Sequence, residues 1–249
     1  MADQGETAAQ NIYDDPKFYE GYSQLRRSMK GLDGAPEWPA LRALLPDLGG
    51  LNVVDLGCGY GWFCRWAQEQ GAARVLGLDV SEKMLAQAKA MTTDAGIVYE
   101  RADLESFALP AGSFDIAYSS LVLHYINDVE AFFTKIHRAL TPGGRFVFST
   151  EHPIYMAPSH PAWSAGADGR EIWPLDGYLV EGPRTTDWLA QGVVKHHRTI
   201  GTTLNSLIRV GFTITYVEEW GPTDAQISAN PQWAKERDRP MFLLVAAQR

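Results

Sequence analysis

The segment Gly57-Cys58-Gly59-Tyr60-Gly61 places three glycines in five residues, directly after the mostly apolar run 51–56 and ahead of a helical pattern that continues to about Gln70. A loop with bare backbone at alternate positions lets a ligand approach the main chain closely. A dinucleotide pyrophosphate is one such ligand, but its G-x-G-x-x-G fingerprint fails in both registers. Counted from Gly57 the third glycine position is Trp62, and counted from Gly59 it is Cys64. A plain tight turn would not require three glycines. Two carboxylates follow in step. Asp79 closes the next apolar run, 20 residues after Gly59, where a doubly wound fold uses an acid to accept hydrogen bonds from both ribose hydroxyls. Asp79-Val80-Ser81 is also readable as an ordinary strand-to-helix turn, so the weight rests on the spacing from the glycine loop. Asp103 closes the run after that, placed to accept from an exocyclic adenine amine, with Leu104 offering a backbone N–H to the ring.

Of the six histidines, His124 follows the fourth predicted strand and His152 the fifth. Both stand at carboxyl ends of strands, where doubly wound folds bind ligands, and both are candidates for acceptor contact or general-base work. His196 and His197 are adjacent, so on a strand they point to opposite faces and do not share a role.

The elements that must position these groups follow from periodicity. Apolar residues Phe18, Tyr22, Leu25 and Met29 predict one helix over 15–29, and Trp38, Leu41, Leu44 and Leu45 a second. Strands are predicted over 51–56, 74–80, 97–102, 114–119 and 145–151, with helices opening at Ser81 and Asp128. This rhythm implies an α/β, doubly wound, mostly parallel sheet. The rhythm breaks over 152–198, a stretch rich in Pro and Trp that reads as an insertion with short strands near 178–181 and 193–197. A helix over 201–210 and strands over 213–219 and 241–247 complete seven strands, the last expected antiparallel.

Bulk properties narrow the partners. The 249-residue chain has a formal net charge of −8, which disfavours nucleic acid as substrate. Cys58 and Cys64 are the two cysteines, which make no disulfide framework and fit a reducing compartment. The first residues lack the basic and apolar regions of a signal peptide, and the longest apolar run, 241–247, is far below the roughly 20 residues a membrane helix needs. A cytoplasmic protein without membrane association is expected, with no metal site, as a monomer or homodimer. Residues 1–14 are polar and expected to be loose.

Together, Val54-Asp55-Leu56-Gly57-Cys58-Gly59-Tyr60-Gly61, Gly77-Leu78-Asp79 and Ala102-Asp103-Leu104 resemble the three-part signature of class I S-adenosylmethionine-dependent methyltransferases, closest to the methyltransferase type 11 group. Phe114-Asp115-Ile116-Ala117-Tyr118-Ser119-Ser120, Leu123-His124-Tyr125 and Leu140-Thr141-Pro142-Gly143-Gly144 are similar to the family's later segments. The resemblance implies a Rossmann-like domain over 1–249, with an N-terminal helical lid at 1–48, a cofactor-binding core at 51–151, a substrate-side insertion at 152–198, and 199–249 completing the sheet.

It further implies S-adenosylmethionine as cofactor and a small-molecule methyl acceptor that the motifs do not specify. Gly57, Cys58, Gly59 and Gly61 would pass under the methionine moiety, and Asp55 would attract its ammonium. Asp79 would hold the ribose, Asp103 with Leu104 the adenine, Met84 would pack near the adenosine, and Val80 and Ser119 would join the cofactor-binding set. Tyr19, Tyr22 and Arg26 form a second stripe on the first helix, with Tyr22 over the cofactor and Arg26 meeting its carboxylate. A nicotinamide-dependent oxidoreductase or epimerase, or a protein that binds the cofactor without catalysis, are the competing classes. The aromatics Tyr155, Trp163, Trp173, Tyr178 and Trp188 either line an acceptor pocket or form the insertion's own small core.

Overall fold

The computed structural model describes residues 10–249. The expected loose stretch over 1–9 lies outside the described residues. Residues 10–14 are anchored instead: Asn11 precedes a 3-10 turn, Ile12–Asp14, and Asp14 accepts hydrogen bonds from the Ser81 hydroxyl and the Lys83 N–H.

The single helix expected over 15–29 is two. Helix α1 spans Pro16–Ser23, with Asp15 capping its Phe18 N–H, and α2 spans Arg26–Lys30. Leu25 between them is extended, with φ −66° and ψ 147°, so the helical phase restarts at Arg26. Met29, expected on the apolar face, is consequently exposed. Helix α3 covers Trp38–Ala43.

The alternating core follows as β1 (Asn52–Leu56), α4 (Trp62–Glu69), β2 (Arg74–Asp79), α5 (Glu82–Ala90), β3 (Ile97–Arg101), β4 (Phe114–Ser120), α6 (Val129–Ala139) and β5 (Leu140–Glu151). Ser81 and Asp128 cap α5 and α6 through the N–H groups of Met84 and Ala131. The insertion holds a short helix α7 (Pro153–Met156) and strands β6 (Ser164–Ala165), β7 (Glu171–Ile172), β8 (Gly182–Thr186) and β9 (Val193–His197). The strand expected at 178–181 is therefore displaced to Gly182–Thr186, which pairs antiparallel with β9. Helix α8 (Ile200–Val210), β10 (Thr213–Trp220), α9 (Asp224–Ala229) and β11 (Phe242–Gln248) finish the chain.

Among the described residues, seven strands form one sheet in the order β10-β11-β5-β4-β1-β2-β3. All neighbours are parallel except β11, which runs antiparallel to both β5 and β10. Alternation along β1 divides the core. Val53 packs with Trp38, Phe63, Ala67 and Leu85 on one face, whereas Val54 and Leu56 pack with Phe132, Ile136 and Leu207 on the other. Helices thus cover both faces, and strand order reverses between β1 and β4, leaving a crevice at their carboxyl ends.

Candidate active site

That crevice opens into a cavity of about 590 Å³, within the range of about 300–1,000 Å³ usual for small-molecule sites. One end is walled by Asp79, Val80, Met84, Asp103 and Leu104, from the tips of β2 and β3 and the start of α5. Gly57 and Gly59 form its floor. Gly59 has φ +51°, and a Cβ there would meet no atom within 4 Å, so its backbone faces open space. Its N–H donates to Asp79 Oδ2 at 2.8 Å, and the Ser81 N–H donates to Asp79 Oδ1 at 2.9 Å. Burial nonetheless pushes the Asp79 carboxyl up to about 6. Both oxygens keep a lone pair for a further donor. One Asp103 oxygen accepts from the Glu105 N–H at 2.9 Å, which holds the carboxylate at the cavity wall.

A smaller cleft of about 90 Å³ shares Tyr22, Arg27, Gly57, Gly59 and Ser120 with the large cavity. Its lining adds Asp55 and Cys58. Asp55 is buried, with the Cys64 thiol donating to its Oδ2 at 3.3 Å, and burial pushes its carboxyl up to about 7. A buried carboxyl held this high is stabilised as an anion by any cation brought beside it. Arg27 stands at the same cleft, its guanidinium bonded to both oxygens of the fully buried Glu37 at 2.9 and 3.2 Å. The cleft therefore offers a carboxylate and a guanidinium together, the pair that complements an amino-acid zwitterion. Bare glycine backbone, this pair and two ribose- and adenine-ready acids fit S-adenosylmethionine, and no phosphate-binding lysine stands in the loop.

Residues 54–148 match the family model described as a methyltransferase domain. The solved structure of an S-adenosylmethionine-dependent methyltransferase from Mesorhizobium loti is 69% identical, covers 88% of this chain and 100% of that one, and superposes with a TM-score of 0.85. This chain belongs to the S-adenosylmethionine-dependent methyltransferases. An uncharacterized protein of Haemophilus influenzae is 34% identical over 96% of the methyltransferase and 97% of its own length. A malonyl-[acyl-carrier protein] O-methyltransferase of Pseudescherichia vulneris is 33% identical, but over 59% of this chain and 54% of that one. The methyltransferase thus matches about half the length of that relative. Family membership sets aside the nicotinamide-dependent reading and makes S-adenosylmethionine the cofactor.

The methyltransferase brings most sequence-predicted residues to the two clefts: Tyr22, Asp55, Gly57, Cys58, Gly59 and Asp79, then Val80, Met84, Asp103, Leu104 and His124. Four residues fall elsewhere. Arg26 is exposed, and Arg27 takes the place at the cleft because the break at Leu25 resets the helix by one residue. Ser119 is buried with its hydroxyl donating to Leu56 O at 2.9 Å, while Ser120, on the opposite side of the strand, lines both clefts. Gly61 begins α4 with φ +70°, and a Cβ there would lie 2.2 Å from the Tyr99 hydroxyl, so this glycine answers internal packing. His152 is 0% exposed, with Nδ1 accepting from the Ile154 N–H at 3.1 Å and Nε2 bonded to Glu219 at 3.0 Å, which makes it the cap of α7.

His124 lines the cavity as a neutral and weakly basic imidazole. Burial pulls its imidazole down to about 3, and its Nδ1 faces the Thr150 hydroxyl and the Glu151 N–H, each at 3.4 Å. His196 lines the cavity, and His197, facing away, bonds Tyr178 O at 2.9 Å. Sequence reasoning missed Tyr13, Ser120, Tyr125, Glu151 and His196 on the walls. Tyr13 lies in the stretch read as loose, where a lone aromatic among polar residues was the available signal. The insertion's aromatics divide between the two uses. Tyr155 and Trp188 line the cavity, whereas Tyr155, Trp163 and Trp173 also surround the Arg239 guanidinium at 4.3, 5.0 and 4.0 Å.

Proposed function

We propose that this methyltransferase transfers the methyl group by direct in-line displacement to an O or N nucleophile of a small, partly apolar molecule. The observation that carries the reading is a single cavity whose lining joins carboxylates and glycine backbone to an apolar and aromatic wall. The β1–β2–β3 side presents the carboxylates and glycine backbone. Tyr125 after β4, Tyr155 and Trp188 of the insertion, and Met241 and Phe242 at the start of β11 give the cavity an apolar and aromatic wall suited to a compact acceptor, with the Arg27 guanidinium over the Phe242 ring. Among the described residues no helix is long and apolar enough to cross a membrane.

In this reading Asp79 accepts from the ribose hydroxyls and Asp103 from the adenine amine, with Val80, Met84 and Leu104 against the adenosine. Asp55 pairs with the ammonium of the methionine moiety, Arg27 with its carboxylate, and Gly57 and Gly59 lie beneath it. The cofactor's sulfonium supplies a methyl group that is already electrophilic. The protein's work is then alignment and exclusion of water, which contribute several kcal/mol in well-oriented systems. Burial leaves His124 a weak base and His152 is held by α7 and Glu219, so in this reading neither histidine is required to take a proton from the acceptor. Tyr13 and Tyr22, whose hydroxyls burial holds protonated above their ordinary range, roof the cavity from the N-terminal segment.

Incubation of the purified protein with methyl-labelled S-adenosylmethionine and a fractionated cell extract tests the reading. Label should enter a low-molecular-weight, partly apolar fraction. Label confined to protein or nucleic acid would refute the small-molecule acceptor.

A further inference from the structure

Behind the smaller cleft, the Asp55 carboxyl of β1 is held from one side. The Cys64 thiol, in the first turn of α4, donates to Asp55 Oδ2 at 3.3 Å. Cys64 is 0% exposed and stands outside the cleft lining, whereas Asp55 is part of it. Oδ1 of Asp55 meets no hydrogen-bond donor among the described residues, yet it is not sealed from solvent, so it is the oxygen presented to the cleft. The sulfur's place depends on β2. Gly77 pairs with Asp55, and a Cβ there would come within 2.9 Å of the Cys64 sulfur and 3.0 Å of the Cys58 sulfur. Bare backbone at Gly77 leaves the room in which the thiol reaches the carboxyl. The other groups facing Asp55 offer it no donor. Cys58, in the glycine loop, directs its thiol to Gly59 O at 3.9 Å. Asp79 of β2 is a like charge, and Tyr118, paired with Asp55 from β4, keeps its buried hydroxyl protonated. Glu37, beside Tyr118, is already bound by Arg27. Burial raises the Asp55 carboxyl, the Cys64 hydrogen bond lowers it and Asp79 raises it, with the balance at about 7. Among the described residues no cation offsets the burial, so the thiol is the neighbour that favours the anion. Burial holds the thiol itself well above its ordinary range, which keeps it a donor.

We infer that Cys64 is a positioning residue for the cofactor: by donating to Oδ2, its thiol holds the Asp55 carboxyl with Oδ1 toward the cleft, ready for the ammonium of the methionine moiety. This rests on the reading of Asp55 as the partner of that ammonium. The thiol contributes in two ways. It restrains rotation of the carboxyl, so the receiving oxygen is in place before the ligand arrives. It also stabilises the carboxylate form, which an ammonium partner requires. Without the donor the carboxylate would form only at higher pH, and tight binding of the ammonium would be delayed with it. One typical net hydrogen bond corresponds to a displacement of about one pH unit. Cys64 touches no part of the ligand in this arrangement and acts through Asp55 alone.

The test begins on the full-length protein without ligand. Carboxyl-labelled aspartate is followed by NMR through a pH titration, with Asp55→Asn identifying the Asp55 signal. The midpoint should lie at about 7 in the wild type. It should rise by about one unit in Cys64→Ala and return toward the wild-type value in Cys64→Ser, whose hydroxyl donates in the thiol's place. Cys64→Val repeats the loss of the donor if Cys64→Ala fails to fold. Calorimetric titration with S-adenosylhomocysteine, from about pH 6 to 9, follows on the same proteins. The pH at which affinity levels off should move with the Asp55 midpoint of each variant. A packing role alone would weaken binding in Cys64→Ala equally at every pH and leave the midpoint in place. An Asp55 midpoint unmoved in Cys64→Ala, or moved as far in Cys64→Ser, would overturn the inference and leave the ammonium contact standing. Wild-type binding that ignores the Asp55 titration would sink that contact, and the inference with it.

Discussion

Replacing Asp79 with alanine separates the cofactor role of this residue from its structural one. In the folded protein the carboxylate accepts two backbone N–H groups, from Gly59 at 2.8 Å and Ser81 at 2.9 Å, which ties the glycine loop to the start of α5. Its remaining lone pairs face the cavity. If two ribose hydroxyls occupy them, each hydrogen bond to the carboxylate is worth about 1.5–3 kcal/mol, and losing both costs about 3–6 kcal/mol. The dissociation constant for S-adenosylhomocysteine should therefore rise by roughly 10²–10⁴-fold. The same substitution strands the Gly59 and Ser81 N–H groups but also removes a buried carboxyl whose ionisation burial opposes, so melting temperature should fall only modestly. Ser81→Ala is the control. It removes the hydroxyl that accepts from the Met84 N–H and donates to Asp14, for a loss of about 0.5–2 kcal/mol of stability from the cap, without touching the proposed ribose contact. Calorimetric titration with thermal melts on all three proteins reads both effects. Asp79→Ala binding within about threefold of wild type, while folded, would refute the ribose assignment. Equal loss of affinity in Ser81→Ala would show that loop geometry, rather than hydrogen bonding, sets affinity.

Four other outcomes are expected. Arg27→Lys should weaken S-adenosylhomocysteine binding about tenfold by losing guanidinium geometry, while Arg26→Ala leaves the affinity unchanged; the opposite order, read by calorimetry, would return the carboxylate contact to Arg26. For Asp55, whose carboxyl burial holds up to about 7, binding an ammonium below that pH must displace a proton. Affinity should thus rise between about pH 6 and 8, by up to about tenfold per unit at the acid end, and this slope should vanish in Asp55→Asn. The raised value also means that the ionising carboxyl destabilises the apo fold as pH climbs from the unfolded value near 4 through about 7, so the melting temperature of Asp55→Asn should gain on wild type over that window. Hydrogen exchange over residues 13–30 should slow on adding S-adenosylhomocysteine, because Tyr13 and Tyr22 roof the cavity from that segment; identical protection with and without ligand would leave these helices as plain docking elements.

The cofactor half was legible in the sequence because its determinants are local. Each strand-to-helix junction is written in a short stretch: apolar run, then Gly57–Gly61, Asp79-Val80-Ser81 or Asp103-Leu104. A doubly wound topology carries those junctions to one edge of the sheet whatever the detailed packing. The antiparallel last strand was equally readable, since no long helix separates 213–219 from 241–247 to return the chain in parallel.

What only the tertiary structure decided is phase and pairing across distance. Arg26 and Arg27 are adjacent, and an extended residue at Leu25 selects which one reaches the cleft. Ser119 and Ser120 are adjacent as well, and the strand's alternation turns the first into the sheet and the second toward the cavity. His124 and His152 occupy equivalent strand ends, yet the start of α7 absorbs both ring nitrogens of His152. Asp14 meets Ser81 across 67 residues, and Glu151 meets Lys195 across 44. No periodicity records such contacts, because they arise only when segments far apart in the chain close against each other. Glu151, Trp188 and His196 reach the cavity wall only through such closure, so sequence motifs identified the cofactor while the rest of the cavity wall became visible only in the folded chain.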